Sequence, residues 1–179
     1  MITNLRLARI LVGGACLLTV GTACTSAVSG TPSAAPTTQN STPTGSDVFA
    51  GLDACQLLDQ LNAGQGFAPG ENKSRRNQCT ASKPGFATYG LALDSVQGLS
   101  EFDAANAGAT SISVNGRDGM QADIPVGGCA VAVGVGVGVG EHARALVLVT
   151  MERASEDAHG CPNARAFAEK VEPLLPQAR

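Results

Sequence analysis

Apolar residues recur in this chain with two alternating periods, and the switches between them mark out the elements. Leu57, Leu58 and Leu61 share one helical face. Asp53 is placed to cap that helix, and Gln56, three residues on, to complete a capping box. Residues 64–78, GQGFAPGENKSRRNQ, form a polar loop. Its cluster Lys73, Arg75 and Arg76 reads as solvated charge, with an anion site as the alternative. After Cys79 the period becomes two: Ala87, Tyr89, Leu91 and Leu93 alternate as one face of a strand. Leu99 to Asn106 follows Gly98 and reads as a short helix opening at Ser100. Ser111–Val114 and Met120–Ile124 are strand-like, and both Asn115-Gly116 and Asp118-Gly119 are turn signals.

The stretch from Cys129 to Gly140, CAVAVGVGVGVG, sets valines at 131, 133, 135, 137 and 139 against Ala or Gly. Such alternation predicts a long strand with one valine face and one bare face. Glycine weakens a strand unless backbone or ligand comes close, so the bare face is expected to pack on a helix. A ligand groove along Gly134, Gly136 and Gly138 is the alternative. The glycines have strand spacing, not the GxGxxG spacing of a phosphate loop. A turn over Gly140 to Ala143 leads to the antiparallel partner, Ala145 to Thr150. Cys161-Pro162 opens a last helix with apolar face Ala164, Phe167, Ala168 and Val171; Pro173 ends it, and Leu174 and Leu175 dock on the sheet. The pattern predicts an α+β domain: a mainly antiparallel sheet with the N- and C-terminal helices packed on one face.

The first 45 residues have neither period. Arg6 and Arg9 precede an apolar run over residues 10–20, and Gly21-Thr22-Ala23 leads to Cys24. A basic start, a short apolar stretch and small residues make a secretory signal; spanning a bilayer takes ~20 apolar residues. Residues 25–45 are Ser, Thr, Pro, Ala and Gly with no charge, and only Val28 has apolar bulk. That composition cannot offset its ordering entropy and reads as a disordered tether. The organisation expected is a signal peptide over 1–23, an anchor and tether over 24–45, and a folded domain over 46–179.

Composition changes this picture in two ways. The aromatics are five Phe and one Tyr, with no Trp, so the core is assembled from small aliphatic pieces and calls for covalent help. Net charge is −3 and becomes −5 once Arg6 and Arg9 leave with the signal. That excludes nucleic acid as an electrostatic partner. Setting aside Cys16 in the signal and Cys24 at its end leaves Cys55, Cys79, Cys129 and Cys161. Four cysteines in an exported domain read as two disulfides with three possible pairings. Cys55–Cys79 and Cys129–Cys161 are expected, each joining a helix start to a nearby strand end. No metal spacing and no cofactor motif occurs.

Ala23-Cys24 resembles the bacterial lipobox, with Gly21 where Leu is usual. That resemblance implies diacylglycerol on the Cys24 sulfur and a tether to the outer face of the cell membrane. The wider layout resembles a family of small actinobacterial lipoproteins, domain-of-unknown-function family 3558. It is carried by Cys24 and its tether, Asp53-Ala-Cys-Gln-Leu-Leu58, Cys79, Cys129 before the alternating strand, and Cys161 opening a helix that runs to Leu174-Leu-Pro176. Thr80-Ala81 stand where members often carry an aromatic. The family implies no catalytic residues.

Nor do the residues themselves supply any. No GxSxG or HExxH motif occurs, His142 and His159 read as solvated loop residues, and Glu101 and Asp103 diverge on a helix. The expectation is a non-catalytic envelope module that binds a protein partner, a wall component or a small ligand. Carriage of a lipid or other apolar molecule is the alternative, and a hydrolase the second. A cavity above ~300 Å³ beside Gly134–Gly138 would favour the carrier, and a histidine bonded to both a carboxylate and a Ser would favour the enzyme.

Overall fold

The computed structural model describes residues 47–125, 127–136 and 142–177. The expected signal peptide over 1–23, Cys24, the expected tether and residues 137–141, Gly138 among them, lie outside the described residues. Three helices and six strands alternate as α1 Ala54–Asn62, β1 Gln78–Lys83, β2 Ala87–Asp94, α2 Leu99–Ala105, β3 Thr110–Val114, β4 Arg117–Ile124, β5 Gly128–Gly134, β6 Arg144–Met151 and α3 Gly160–Val171. The strands form one antiparallel sheet in the order β1-β2-β6-β5-β4-β3. Strands β3 to β6 run as a meander, and the β1–β2 hairpin adds to the free side of β6.

The period-two pattern decides what each face covers. Cys129, Val131 and Val133 of β5 pair with Val149, Val147 and Ala145 of β6, and all six are buried in the main core with Leu91, Leu93, Leu58, Phe167, Ala168 and Val171. Helices α1 and α3 therefore share this face, as the sequence predicts. Removing each of these valines from water contributes about 1.5–3 kcal/mol. The opposite face of β5 presents Ala130 and Ala132, which pack with Ala122 and Phe102 under α2. Aromatic bulk is concentrated at one end. Tyr89 lies 4.8 Å from Phe67 and 5.0 Å from Phe167 between ring centres, and its burial raises the pKa of its hydroxyl.

Helix α1 is capped as expected, Asp53 Oδ1 accepting from the Gln56 N–H at 2.9 Å. Both disulfides form with the expected pairing, Cα atoms 5.0 Å apart for Cys55–Cys79 and 4.9 Å for Cys129–Cys161. The first ties α1 to β1 and the second ties the first turn of α3 to β5.

Several boundaries differ from the sequence reading. A second strand, β1, precedes the one expected after Cys79. Asp118-Gly119 is no turn but lies inside β4, because Asn115-Gly116, with φ of 51° and 90°, already reverses the chain in two residues. Gly119 serves close packing instead, since a Cβ there would stand 2.8 Å from the Ala132 carbonyl oxygen. The long strand stops at Gly134, and Gly136 takes a φ of 152° that ends the ladder. Helix α2 opens one residue early, at Leu99, because the Glu101 carboxylate accepts from the Gly98 N–H. Helix α3 begins at Gly160, after a 3-10 segment over Ala154–His159, and places Pro162 third. Proline is tolerated there because first-turn N–H groups have no helical acceptor.

Opening the Cys129–Cys161 bond is expected to cost about 3–4 kcal/mol, the chain-entropy value for a loop of 32 residues. Urea unfolding of Cys129→Ala/Cys161→Ala against the parent should show that loss, and reduction with dithiothreitol should not destabilise the double variant to the same further extent at this bond.

Candidate functional site

Strands β4 and β5 separate at their ends. Their ladder runs from Ile124↔Gly128 to Gly119↔Val133 and stops before Asp118 and Gly134. Beyond that point the chain continues from β5 into Val135 and Gly136, with only Val135 carrying a side chain. A cleft of about 520 Å³ opens there. Its floor is Gly134–Gly136, one bank is Leu99 and Ser100 of α2, and the other is the β3–β4 hairpin with Glu172 and Gln177. Thus Gly134 and Gly136 line a cavity, whereas none of Cys55, Cys79, Cys129 and Cys161 does. The bare face also packs on a helix. A Cβ at Gly134 would come 3.2 Å from Leu99 Cδ1 and 3.4 Å from the Asp118 carbonyl oxygen.

Polar links hold both banks. Arg117 Nε donates to Glu172 Oε1 at 2.9 Å and Arg117 Nη1 to the Pro176 carbonyl at 3.2 Å, with both ionic side chains largely shielded from water. Asn115 Nδ2 donates to the Glu169 carbonyl at 2.8 Å. These bonds fasten the hairpin to the end of α3. On the far bank, His142 Nδ1 stands 2.8 Å from Glu101 Oε1, and Ser100 Oγ donates to Glu101 Oε2 at 3.1 Å. Glu101 thus gathers the Gly98 N–H, Ser100 and His142. Its carboxyl pKa is lowered to about 2, first by the Gly98 and Glu101 backbone N–H groups and then by Ser100 and His142.

This grouping is centred on the carboxylate. Nucleophilic catalysis needs the imidazole between serine and acid, taking the proton from the hydroxyl. Here Ser100 and His142 each bond Glu101, which leaves Ser100 without a base. The assembly instead clamps the first turn of α2 to the segment entering β6. His159 is exposed, with Nε2 3.6 Å from Glu156 Oε2. Lys73 pairs with Glu71 at 3.0 Å and both side chains are exposed, in keeping with solvated charge at that position.

A second internal cation was not foreseen. Arg144 is 8% exposed, donates from Nη1 to the Gly98 carbonyl at 3.1 Å and from Nη2 to Gln97 Oε1 at 2.9 Å, and lies 5.6 Å from the Phe102 ring centre. It fixes the approach to α2 from below, and no signal announced it, because the apolar alternation starts one residue later. The Arg117–Glu172 and His142–Glu101 pairs likewise join residues 55 and 41 positions apart. Asp123, Cys129 and Cys161 also converge. With both sulfurs in a disulfide, that group offers a metal one carboxylate and no thiolate.

Among the described residues no helix is long and apolar enough to cross a membrane. Compared with protein-family models, curated proteins and solved structures, the chain matches none.

Because the folded-state pKa of Glu101 lies below the ordinary 4.5, its contribution to stability is present above that pH and is lost as pH falls through about 2. Glu101→Gln is expected to lower the urea midpoint at pH 6 and to differ less from the parent with each step toward pH 2. A gap that stays constant over that range would show that the carboxylate carries no such linkage.

Proposed function

We propose that this chain is a lipid-anchored, extracytoplasmic binding protein, non-catalytic, that holds a polar ligand in the cleft between α2 and the β3–β4 hairpin. The observation that carries the reading is the open cavity of about 520 Å³ floored by Gly134–Gly136 and walled by Ser100, Asn115, Arg117, Asp118, Glu172 and Gln177. Side chains of this kind, presented on fixed elements beside a largely bare backbone, offer donors and acceptors, and Leu99, Val135 and Ala143 supply the smaller apolar part of the lining. The volume alone would also suit a carrier of an apolar molecule; the polarity of the walls favours a ligand with hydroxyl, amide or charged groups.

Three features support the address: the signal-like first 23 residues, the lipobox-like Ala23-Cys24, and two disulfides of the kind kept in oxidising compartments. The resemblance to the actinobacterial lipoproteins points the same way. Two or more acyl chains on Cys24 would give stable anchoring, and the Ser/Thr/Pro segment would hold the domain clear of the headgroups.

Cys24→Ser is expected to abolish incorporation of labelled palmitate and to stop processing of the precursor. Equal labelling of the variant would sink the anchor. Native mass spectrometry of the detergent-extracted protein is expected to show a polar small molecule that Asp118→Ala/Gln177→Ala, which removes two exposed polar groups from the walls, no longer retains at an unchanged melting temperature. A co-purifying acyl lipid would replace this reading with the carrier.

A further inference from the structure

The two edges of the sheet are treated differently. On β1 the outward groups are occupied: the Ala68 N–H donates to the Ser82 carbonyl at 2.8 Å, and Glu71 exchanges two hydrogen bonds with Thr80 at 2.8 and 3.0 Å. The loop over residues 68–71 covers that edge. Strand β3 has no such cover. The two-residue turn at Asn115-Gly116 makes Val114 and Arg117 a hydrogen-bonded pair, so Ile112↔Gly119 and Thr110↔Gln121 are hydrogen-bonded pairs as well. The N–H and C=O of Ser111 and Ser113 consequently point away from β4, and among the described residues nothing bonds them.

Exposed edges are ordinarily blunted by lysine, proline, an inward charge or a bulge. Thr110-Ser-Ile-Ser-Val114 has no charge and no proline, and its register with β4 is unbroken. It is also its own complement. A two-fold axis through Ile112 sets Ser111 opposite Ser113 of another copy and Ser113 opposite Ser111, and these are the residues whose backbone groups face outward. Four backbone hydrogen bonds then form with the parity an antiparallel ladder requires. The same axis places Ile112 against its counterpart and Thr110 against Val114, which are β-branched pairs without like charge. A one-residue slip would place an outward-facing serine opposite a residue already bonded to β4.

We infer that β3 docks onto β3 of a second copy of this chain, joining two six-stranded sheets into one continuous antiparallel sheet. The interface is isologous, as a two-fold dimer requires. Five residues a side bury less than the ~1,200 Å² of a standard stable interface, so association in dilute solution is weak, and a covalent probe of register reads it best. The proposal is independent of what fills the cleft, since neither Ser111 nor Ser113 lines it.

The test uses the full chain in detergent with Cys16→Ser and Cys24→Ser, so that every other cysteine is held in a disulfide. Ser111→Cys and Ser113→Cys are made separately; both side chains are exposed. Opposed Cα atoms ~5.5 Å apart lie within disulfide reach, whereas the same residue in two copies is offset by two positions. Mild oxidation of the mixed variants is expected to give a disulfide-linked heterodimer at least about tenfold faster than either variant alone gives a homodimer. In sedimentation, Ser111→Lys/Ser113→Lys, which sets lysine facing lysine-bearing positions on both sides of the axis, is expected to abolish the concentration-dependent dimer of the parent. No mixed cross-link, or equal cross-linking in all three samples, overturns the proposal, as does a parent that stays monomeric at every concentration reached.

Discussion

Strand β5 is sealed on both faces, and that constraint governs the rest of the domain. A strand in the middle of a sheet, covered by α3 on one side and α2 on the other, must satisfy two packing distances at once. It does so by dividing its residues by size. Val131 and Val133 supply apolar volume toward α1 and α3, while Ala130 and Ala132 leave room for Phe102 beneath α2. Gly119 on β4 and Gly128 on β5 extend the same economy, for a Cβ at either would enter occupied space. A core made this way has little aromatic surface to bury, and the Cys129–Cys161 bond holds α3 where that thin packing needs it.

The cleft follows from the same design. Where β5 parts from β4, Gly134 still packs on Leu99 of α2 and Val135 is buried in the core, so the cleft opens over a floor with few side chains on it. Each bank is then fixed by polar contacts from far along the chain: Arg117 to Glu172 on the hairpin side, His142 to Glu101 and Arg144 to Gly98 on the α2 side. The cavity is therefore framed by cross-linked elements, and no residue of the surface loop over 63–77 lines it.

Local pattern and covalent chemistry were legible in the sequence; encounters between distant polar residues were not. The Asp53 cap, the core face of α3, the shared face of both terminal helices and the disulfide pairing all depend on spacing within a few residues or on the order of the cysteines. Asp118-Gly119 misled because turn residues carry the same signal when a glycine is needed for close approach of backbones, a demand visible only once Ala132 is in place opposite. The extent of β5 misled because valine-glycine alternation continues past the point where the ladder ends. Strand β1 escaped notice because Gln78-Cys-Thr-Ala-Ser-Lys83 is short and mostly polar, an edge strand with Cys79 and Ala81 alone buried. The Glu101 cluster needed residues 98, 100 and 142 brought together, which no periodicity encodes.

The two disulfides also bear on how the protein comes to be made. Each joins a cysteine to the next one along the chain, and the loops 55–79 and 129–161 neither overlap nor enclose one another. A polypeptide threaded N-terminus first into an oxidising space can close the earlier loop before Cys129 has emerged. On the export proposed above, the order of appearance would favour these partners among the three possible pairings, because each cysteine meets its own partner before any other.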